Sequence, residues 1–227
     1  MNLLSMVKDS TKPYTRLESK FYDHFIAPSV AGFYSHFEQA LGLMEGMDES
    51  LVLDVGCGGG QLLEYIAKRR PKVRAVGVDL SPDQIRRAKK RLEPYGSRMS
   101  AITASALDLP MPDNEFDLVL SIGSIKHWPD RLKGLEQCVR VLKPGSRLIV
   151  VEADRGCRHE DVAYLADKTP LPFFAKPLFR VFYLLKVAGP SLDMEEMRGL
   201  AKKLPIKKAR VTRVPGLPGL MLDAVKK

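Results

Sequence analysis

The sequence predicts an α/β fold on a doubly wound, mostly parallel sheet, and three observations carry that expectation. Short β-rich runs alternate with helical stretches, the rhythm of parallel βαβ units. Runs such as Leu148-Ile149-Val150-Val151 are apolar at every position, which suits strands covered by helices on both faces. Glycine and proline clusters fall at the joints between these stretches.

Leu51-Val52-Leu53-Asp54-Val55 is the first strand, ending in glycines. A helix follows from Gln61 to Lys68, with Leu62, Leu63 and Ile66 on one side and Pro71 beyond its end. Val73 to Val78 is a second β-rich run. Ser81 then supplies an N-cap and Pro82 the first position of a helix through Leu92, which Pro94-Tyr95-Gly96 breaks. Met99 to Thr103, Phe116 to Ser121 and Arg147 to Val151 are further strands. A helix from Asp130 to Leu142 lies between the last two, stopped by Lys143-Pro144-Gly145. Past Asp154 the rhythm changes. Gly156 to Pro190 reads as helical and apolar, with Phe173, Phe174, Phe179, Phe182 and Tyr183 clustered, and a helix from Asp193 to Lys203 follows. Lys207 to Val214 and Leu220 to Val225 form a strand pair. The stretch from Tyr14 to Met44 is also helical and aromatic, through Phe21, Tyr22, Phe25, Phe33, Tyr34 and Phe37. The expected organisation is one domain over residues 1–227: a core from 50 to 154 and a helical cap from 13–45 and 156–190.

Composition bounds the class. The 227 residues are 45% hydrophobic and 28% charged, enough apolar material for a sizeable core, which excludes wholesale disorder. No run reaches the roughly 18 apolar residues of a membrane span, and the N-terminus shows no basic leader with an apolar segment. Cys57, Cys138 and Cys157 are odd in number and lack a C-x-x-C pair, which disfavours a disulfide framework or a cysteine zinc site. A cytoplasmic location is expected. The net charge of +9 permits nucleic acid, anionic lipid or acidic ligands. It is concentrated in blocks at Lys68–Arg74, Arg86–Arg91 and Lys202–Arg213. None has interleaved aromatics on which bases could stack, so they read as solvated helix faces and strand ends.

Asp54-Val55-Gly56-Cys57-Gly58-Gly59-Gly60 sits between a strand and a helix, where a backbone can approach a ligand closely. It could be a plain tight turn. A dinucleotide fingerprint, Gly-x-Gly-x-x-Gly, fails: counted from Gly56 its third glycine falls on Gln61, and from Gly58 on Leu63. Asp54 at the strand end would repel a pyrophosphate but attract a cation. Asp79 closes the second strand 19 residues past Gly60, where its two oxygens can accept from both hydroxyls of a ribose. These features suggest a nucleoside ligand with a positive end and no phosphate, a description that S-adenosylmethionine meets.

The motif from Leu53 to Gly60 resembles the first motif of the class I S-adenosylmethionine-dependent methyltransferases. Val76-Gly77-Val78-Asp79-Leu80-Ser81, with Gln84 and Ala88, is similar to their second. Leu107 to Val119 and Arg140 to Leu148 are similar to later segments, and the order agrees from about residue 50 to 154. The resemblance implies a seven-stranded Rossmann-like sheet with an antiparallel C-terminal strand. It also implies cofactor contacts at Asp54, Gly56, Gly58, Asp79, Leu80, Gln84, Ser105, Ala106 and Ile122. One departure stands out: family members commonly carry an acid where this chain has Ser105, so adenine contact falls to that hydroxyl or to the Ala106 and Leu107 backbone. The subgroup it resembles contains small-molecule enzymes, including quinone-biosynthesis C-methyltransferases. The implied activity is methylation of a small apolar or aromatic acceptor on O, N or C, with no metal.

Transfer from a sulfonium needs chiefly proximity and orientation, which can contribute roughly 7–11 kcal/mol. A base is needed only if the acceptor must lose a proton. His127, after the fourth strand, is the candidate base; the alternative is that His127 and Trp128 pack against the cofactor or cap the next helix. His24 and His36 read as packing residues, and Cys57 as small filler. Glu152 and Asp154 could ring the acceptor or be merely solvated. The aromatic segments could be ordinary helix faces or an acceptor pocket. The rival function is a nucleic-acid methyltransferase. It lacks the Asn/Asp-Pro-Pro-aromatic signature, since the fourth-strand segment reads Ser121-Ile122-Gly123-Ser124, and no Pro-Cys pair offers a cytosine nucleophile.

Overall fold

The computed structural model describes residues 48–169 and 171–227, together with Tyr34 and Glu38. Apart from those two residues, the expected N-terminal part of the cap, with His24 and His36, lies outside the described residues. The chain runs β1 (Leu51–Val55), α1 (Gln61–Arg69), β2 (Arg74–Asp79), α2 (Pro82–Leu92), β3 (Met99–Thr103), β4 (Phe116–Ile122), α3 (Arg131–Val141) and β5 (Leu142–Ala153). It continues through α4 (His159–Lys168), α5 (Lys176–Phe182), α6 (Met194–Lys203), β6 (Ile206–Arg213) and β7 (Gly219–Lys226).

Local chemistry fixes the helix starts. At α2 the Ser81 hydroxyl accepts from the Gln84 N–H with proline in the first turn. Asp130 does the same for α3, accepting from Lys133 N at 2.9 Å. A capping box of Asp193 and Glu196 opens α6.

The seven strands form one sheet in the order β3-β2-β1-β4-β5-β7-β6. β1 to β5 pair in parallel, and β7 is antiparallel to both β5 and β6. This is the Rossmann-like sheet expected, with its antiparallel C-terminal strand. The pleat of β1 sends Val52 into a layer with Leu62, Leu63 and Ile66 of α1 and Ile85 and Ala88 of α2. It sends Leu53 and Val55 into the opposite layer, with Leu135 and Val139 of α3 and Met197 of α6. Both faces are covered, hence the unbroken apolar runs. The connections reverse direction between β1 and β4, so a crevice opens outside their carboxyl ends.

Two expectations change. Lys143-Pro144-Gly145 ends α3 but does not delay the next strand, because β5 already begins at Leu142. Phe116 pairs with Leu142 and Leu118 with Arg147, so the extra residues of β5 bulge out, with Gly145 at φ 80° and Pro144 where no ladder N–H is needed. The stretch expected as helical from Gly156 to Pro190 is broken into α4, a 3₁₀ turn at Phe173–Ala175, α5 and a π-helical turn at Tyr183–Ala188.

The basic blocks are helix ends and a strand edge. Lys68 and Arg69, Lys89 to Arg91, and Lys202 and Lys203 fill the last turns of α1, α2 and α6, where cations complement the helix dipole. Lys207, Lys208, Arg210 and Arg213 project from the edge strand β6, where like charge opposes edge-to-edge pairing. Among the described residues no helix is long and apolar enough to cross a membrane.

Candidate active site

The loop after β1 is held at the mouth of the crevice. The N–H groups of Gly56 and Cys57 both donate to the Val78 carbonyl, at 2.7 and 2.9 Å, which ties the loop to the end of β2. Gly56 has φ 83°, and a Cβ there would fall 1.9 Å from Ser124 Oγ, so no larger residue fits. Gly58 has φ 51°, and among the described residues a Cβ there would meet nothing within 4 Å, so the space beside it is open in that part of the structure. Cys57 is buried, and burial followed by the charges of Asp54 and Asp79 pushes its thiol well above the ordinary value.

Tyr34, Asp54, Gly56, Cys57, Gly58, Gln61, Leu62 and Ile122 line one open cleft. Four of the expected residues, Asp54, Gly56, Gly58 and Ile122, therefore come together. Asp79 stands beside them: Oδ2 accepts from Gly58 N at 3.0 Å and Oδ1 from Ser81 N at 2.8 Å. Burial raises its carboxyl above the usual value, and the two N–H bonds pull it back. Asp54 is 2% exposed; burial, with Asp79 adding like charge, raises its carboxyl to about 7.

The other expected residues are arranged differently. Leu80 is exposed just past Asp79, and Ala104 N bonds the Asp79 carbonyl at 3.1 Å, which brings Ser105 and Ala106 close. Ser105 Oγ accepts from Leu107 N at 3.1 Å, so its hydroxyl shapes a turn there. Gln84 does not line the cleft: it is 2% exposed within the first turn of α2, and its Oε1 has no hydrogen-bond partner among the described residues. His127 is half-buried in a 3₁₀ turn at Ile125–His127, held by its N–H to the Ser124 carbonyl at 2.9 Å, and is not among the cleft-lining residues. Trp128 packs against α3, where a Cβ on Gly134 would lie 2.3 Å from its ring, rather than against the cleft; the cap of α3 is Asp130.

Three features escaped the sequence. Tyr34, read only as one more apolar aromatic, lines the cleft and packs its ring 5.5 Å from Tyr65. Ser124 stands against Gly56 and accepts from Trp128 Nε1 at 3.0 Å. Lys126 donates from Nζ to Glu152 Oε1 at 2.8 Å while its N–H reaches Oε2 at 3.1 Å. Burial alone would raise the Glu152 carboxyl, but the ammonium and these bonds hold it below the usual carboxylate range. Asp154 is likewise buried and accepts from Arg213 Nε at 2.9 Å. Neither strand-end acid is solvated. Among the described residues no group of His, Cys, Asp and Glu could hold a metal ion.

A glycine loop at the switch point of a doubly wound sheet, flanked by one buried and one half-buried carboxylate, defines a Rossmann-like domain built to hold a cofactor of the nucleoside kind. Residues 52–145 match a family model described as a methyltransferase domain. It is 36% identical over 101 residues to a demethylmenaquinone methyltransferase from Thermus thermophilus, covering 44% of this chain and 46% of that protein. It is 33% identical over 165 residues to a 2-methyl-6-phytyl-1,4-hydroquinone methyltransferase from Synechocystis sp., covering 69% and 49%. The chain thus spans about half the length of these curated relatives. A SAM dependent methyltransferase from Aquifex aeolicus superposes with a TM-score of 0.71 at 21% identity, over 94% of this chain and 100% of that one, a likeness that shows the fold.

Proposed function

We propose that this protein transfers a methyl group from S-adenosylmethionine to a small apolar or aromatic acceptor, in the cytoplasm. The observation that carries the reading is the pair of carboxylates, Asp54 and Asp79, on either side of a glycine loop whose Gly58 leaves open space. That site suits a ligand with a hydroxylated sugar and a cationic end, and it is a poor cradle for phosphate. The cofactor, when bound, supplies a methyl already activated on a sulfonium.

The remaining work falls to this chain's residues. Asp79 accepts from the ribose hydroxyls with the lone pairs its two N–H bonds leave free. Asp54 ionises against the ammonium end. Gly56 and Gly58 let backbone lie against the ligand, Ile122 and Tyr34 close the cleft, and the Ser105–Leu107 turn meets the adenine edge, its backbone in the leading part. His127 orients the crevice wall, or takes a proton where the acceptor has one to lose. Both relatives' names denote quinone-type acceptors, which supports an apolar acceptor here.

Calorimetric titration with S-adenosylmethionine tests the reading. Asp79→Ala should weaken binding by about 1–3 kcal/mol, the usual cost of losing bonds to a charged acceptor. Unchanged affinity in a folded variant would refute the ribose assignment. Labelled methyl supplied with metabolite and RNA pools should appear in small molecules; label confined to RNA would establish the rival function.

A further inference from the structure

The segment after α4 is built inside out. Along the 3₁₀ turn at Phe173–Ala175, α5 and the π-helical turn, Phe174, Leu178, Val181, Phe182 and Leu185 recur at one-turn spacings and form a single stripe. That stripe faces water, with Phe174 72%, Leu178 73% and Leu185 65% exposed, and Phe173 beside it 84% exposed. The polar residues turn the other way: Lys176 and Arg180 reach back to Asp167, at 3.2 and 3.9 Å. On the inner side Tyr183 donates to the Pro218 carbonyl at 3.1 Å, which pins the helix to the domain. The apolar face therefore belongs to an anchored element.

The charge around it selects the occupant. From residue 167 to 192 the sequence holds four cations, Lys168, Lys176, Arg180 and Lys186, against one carboxylate, Asp167, with which Lys176 and Arg180 pair. Lys168 stands 5.3 Å from the ring of Tyr164, itself exposed. Apolar and aromatic side chains bordered by lysine and arginine form the pattern of a helix that lies in the plane of an anionic bilayer surface. A second copy of this chain would set like charge against like. The anchored face also lies at the carboxyl end of the sheet, because Pro218 O accepts from Asp154 N, at 3.0 Å, as well as from Tyr183.

We propose that this stripe docks the protein onto an anionic lipid surface, with Phe173, Phe174, Leu178 and Leu185 entering the acyl boundary and Lys168 and Lys186 meeting the headgroups. The docking stands whatever the acceptor is.

Co-sedimentation of the full chain with vesicles of phosphatidylcholine, alone or mixed with phosphatidylserine, tests it. Binding is expected to the mixed vesicles and to weaken with salt. Phe174→Ser/Leu178→Ser/Leu185→Ser should cut partitioning by roughly two orders of magnitude with an unchanged far-ultraviolet dichroism spectrum. Lys168→Glu/Lys186→Glu should weaken binding to the anionic vesicles alone. An environment-sensitive dye at Phe173→Cys, in a Cys157→Ser background, should report an apolar setting only after vesicles are added. Absence of binding to either vesicle, wild-type binding by the triple variant, or an apolar dye signal before lipid is present would each overturn the proposal; the last would mean that a second copy or another part of this chain covers the stripe.

Discussion

Gly56→Ala should destabilise the protein far more than Gly58→Ala, although both glycines have positive φ and stand two residues apart in the same loop. An alanine at φ 83° or 51° incurs a left-handed penalty of about 1–2 kcal/mol at either site. At Gly58 that is the whole cost, since the new Cβ meets nothing within 4 Å among the described residues. At Gly56 the Cβ would fall 1.9 Å from Ser124 Oγ and 2.3 Å from its Cβ, so Ser124 must leave its place. Its hydroxyl accepts from the indole N–H of buried Trp128, and stranding that donor adds about 1–3 kcal/mol. The totals are about 1–2 kcal/mol for Gly58→Ala and about 2–5 kcal/mol for Gly56→Ala, the latter a large share of a typical domain stability of about 5–15 kcal/mol. Urea unfolding without cofactor reads these values directly. A double-mutant cycle with Ser124→Gly should return a favourable coupling of about 1–3 kcal/mol, because both single variants strand the Trp128 donor and the double variant incurs that loss only once. Equal losses at the two glycines, or zero coupling, would refute the account of Gly56 as a close-packed position and Gly58 as an open one.

Other outcomes follow from the same site. The Asp54 carboxyl is raised from 3.8 to about 7 in the fold, so its neutral form is favoured there. The stability it contributes is present below the unfolded value and is lost as pH rises through about 7, and Asp54→Asn should flatten that part of the stability–pH curve. Affinity for the cationic cofactor should instead increase as pH rises through the same range, because binding favours the ionised carboxylate; a flat calorimetric profile would separate Asp54 from the ligand. Lys126→Met leaves Glu152 buried without its ammonium and should cost about 3–5 kcal/mol in urea unfolding, with partial recovery in the Lys126→Met/Glu152→Gln pair. His127→Ala separates chemistry from positioning: a rate loss of about 10²–10⁴-fold at saturating cofactor, rescued by imidazole, marks a base, whereas weakened binding with an intact pH profile marks packing.

The parts of this fold that were legible are those written by neighbouring residues. Ser81 and Pro82 cap α2 within one turn, and Val52 to Val55 declare a strand covered on both faces, so these elements fall where the sequence puts them. The start of β5 was not legible, because Leu142 is recruited by Phe116 on a distant strand in spite of the proline that follows it. The segment from 156 to 190 reads as continuous helix, yet Pro172 and Pro177 divide it, and the π turn closes with Gly189 N on the Leu184 carbonyl. The site divides the same way. Asp54, Gly56, Gly58 and Asp79 belong to compact motifs. Lys126 finds Glu152 across 26 residues and Arg213 finds Asp154 across 59, and no local pattern foretells which buried acid receives which cation. Tyr34 reaches the cleft from beyond the matched segment, with nothing in its own neighbourhood to set it apart from the other aromatics.

The position of β7 bears on how the chain reaches this state. It is the last strand in sequence but lies between β5 and β6 in space, pairing Arg147 with Val225 and Ala153 with Gly219. During synthesis β5 therefore presents an open edge for the whole time that the intervening residues are being made, and β6 emerges with no neighbour to join. Closure is a late, long-range event, of the sort that slows folding and lengthens exposure to wrong partners. A chain stopped before Gly219 would lose an interior strand rather than a margin, and with it the support beneath Glu152. Pulse-labelled nascent chains should accordingly stay sensitive to protease until β7 has cleared the ribosome, then become resistant in a single step.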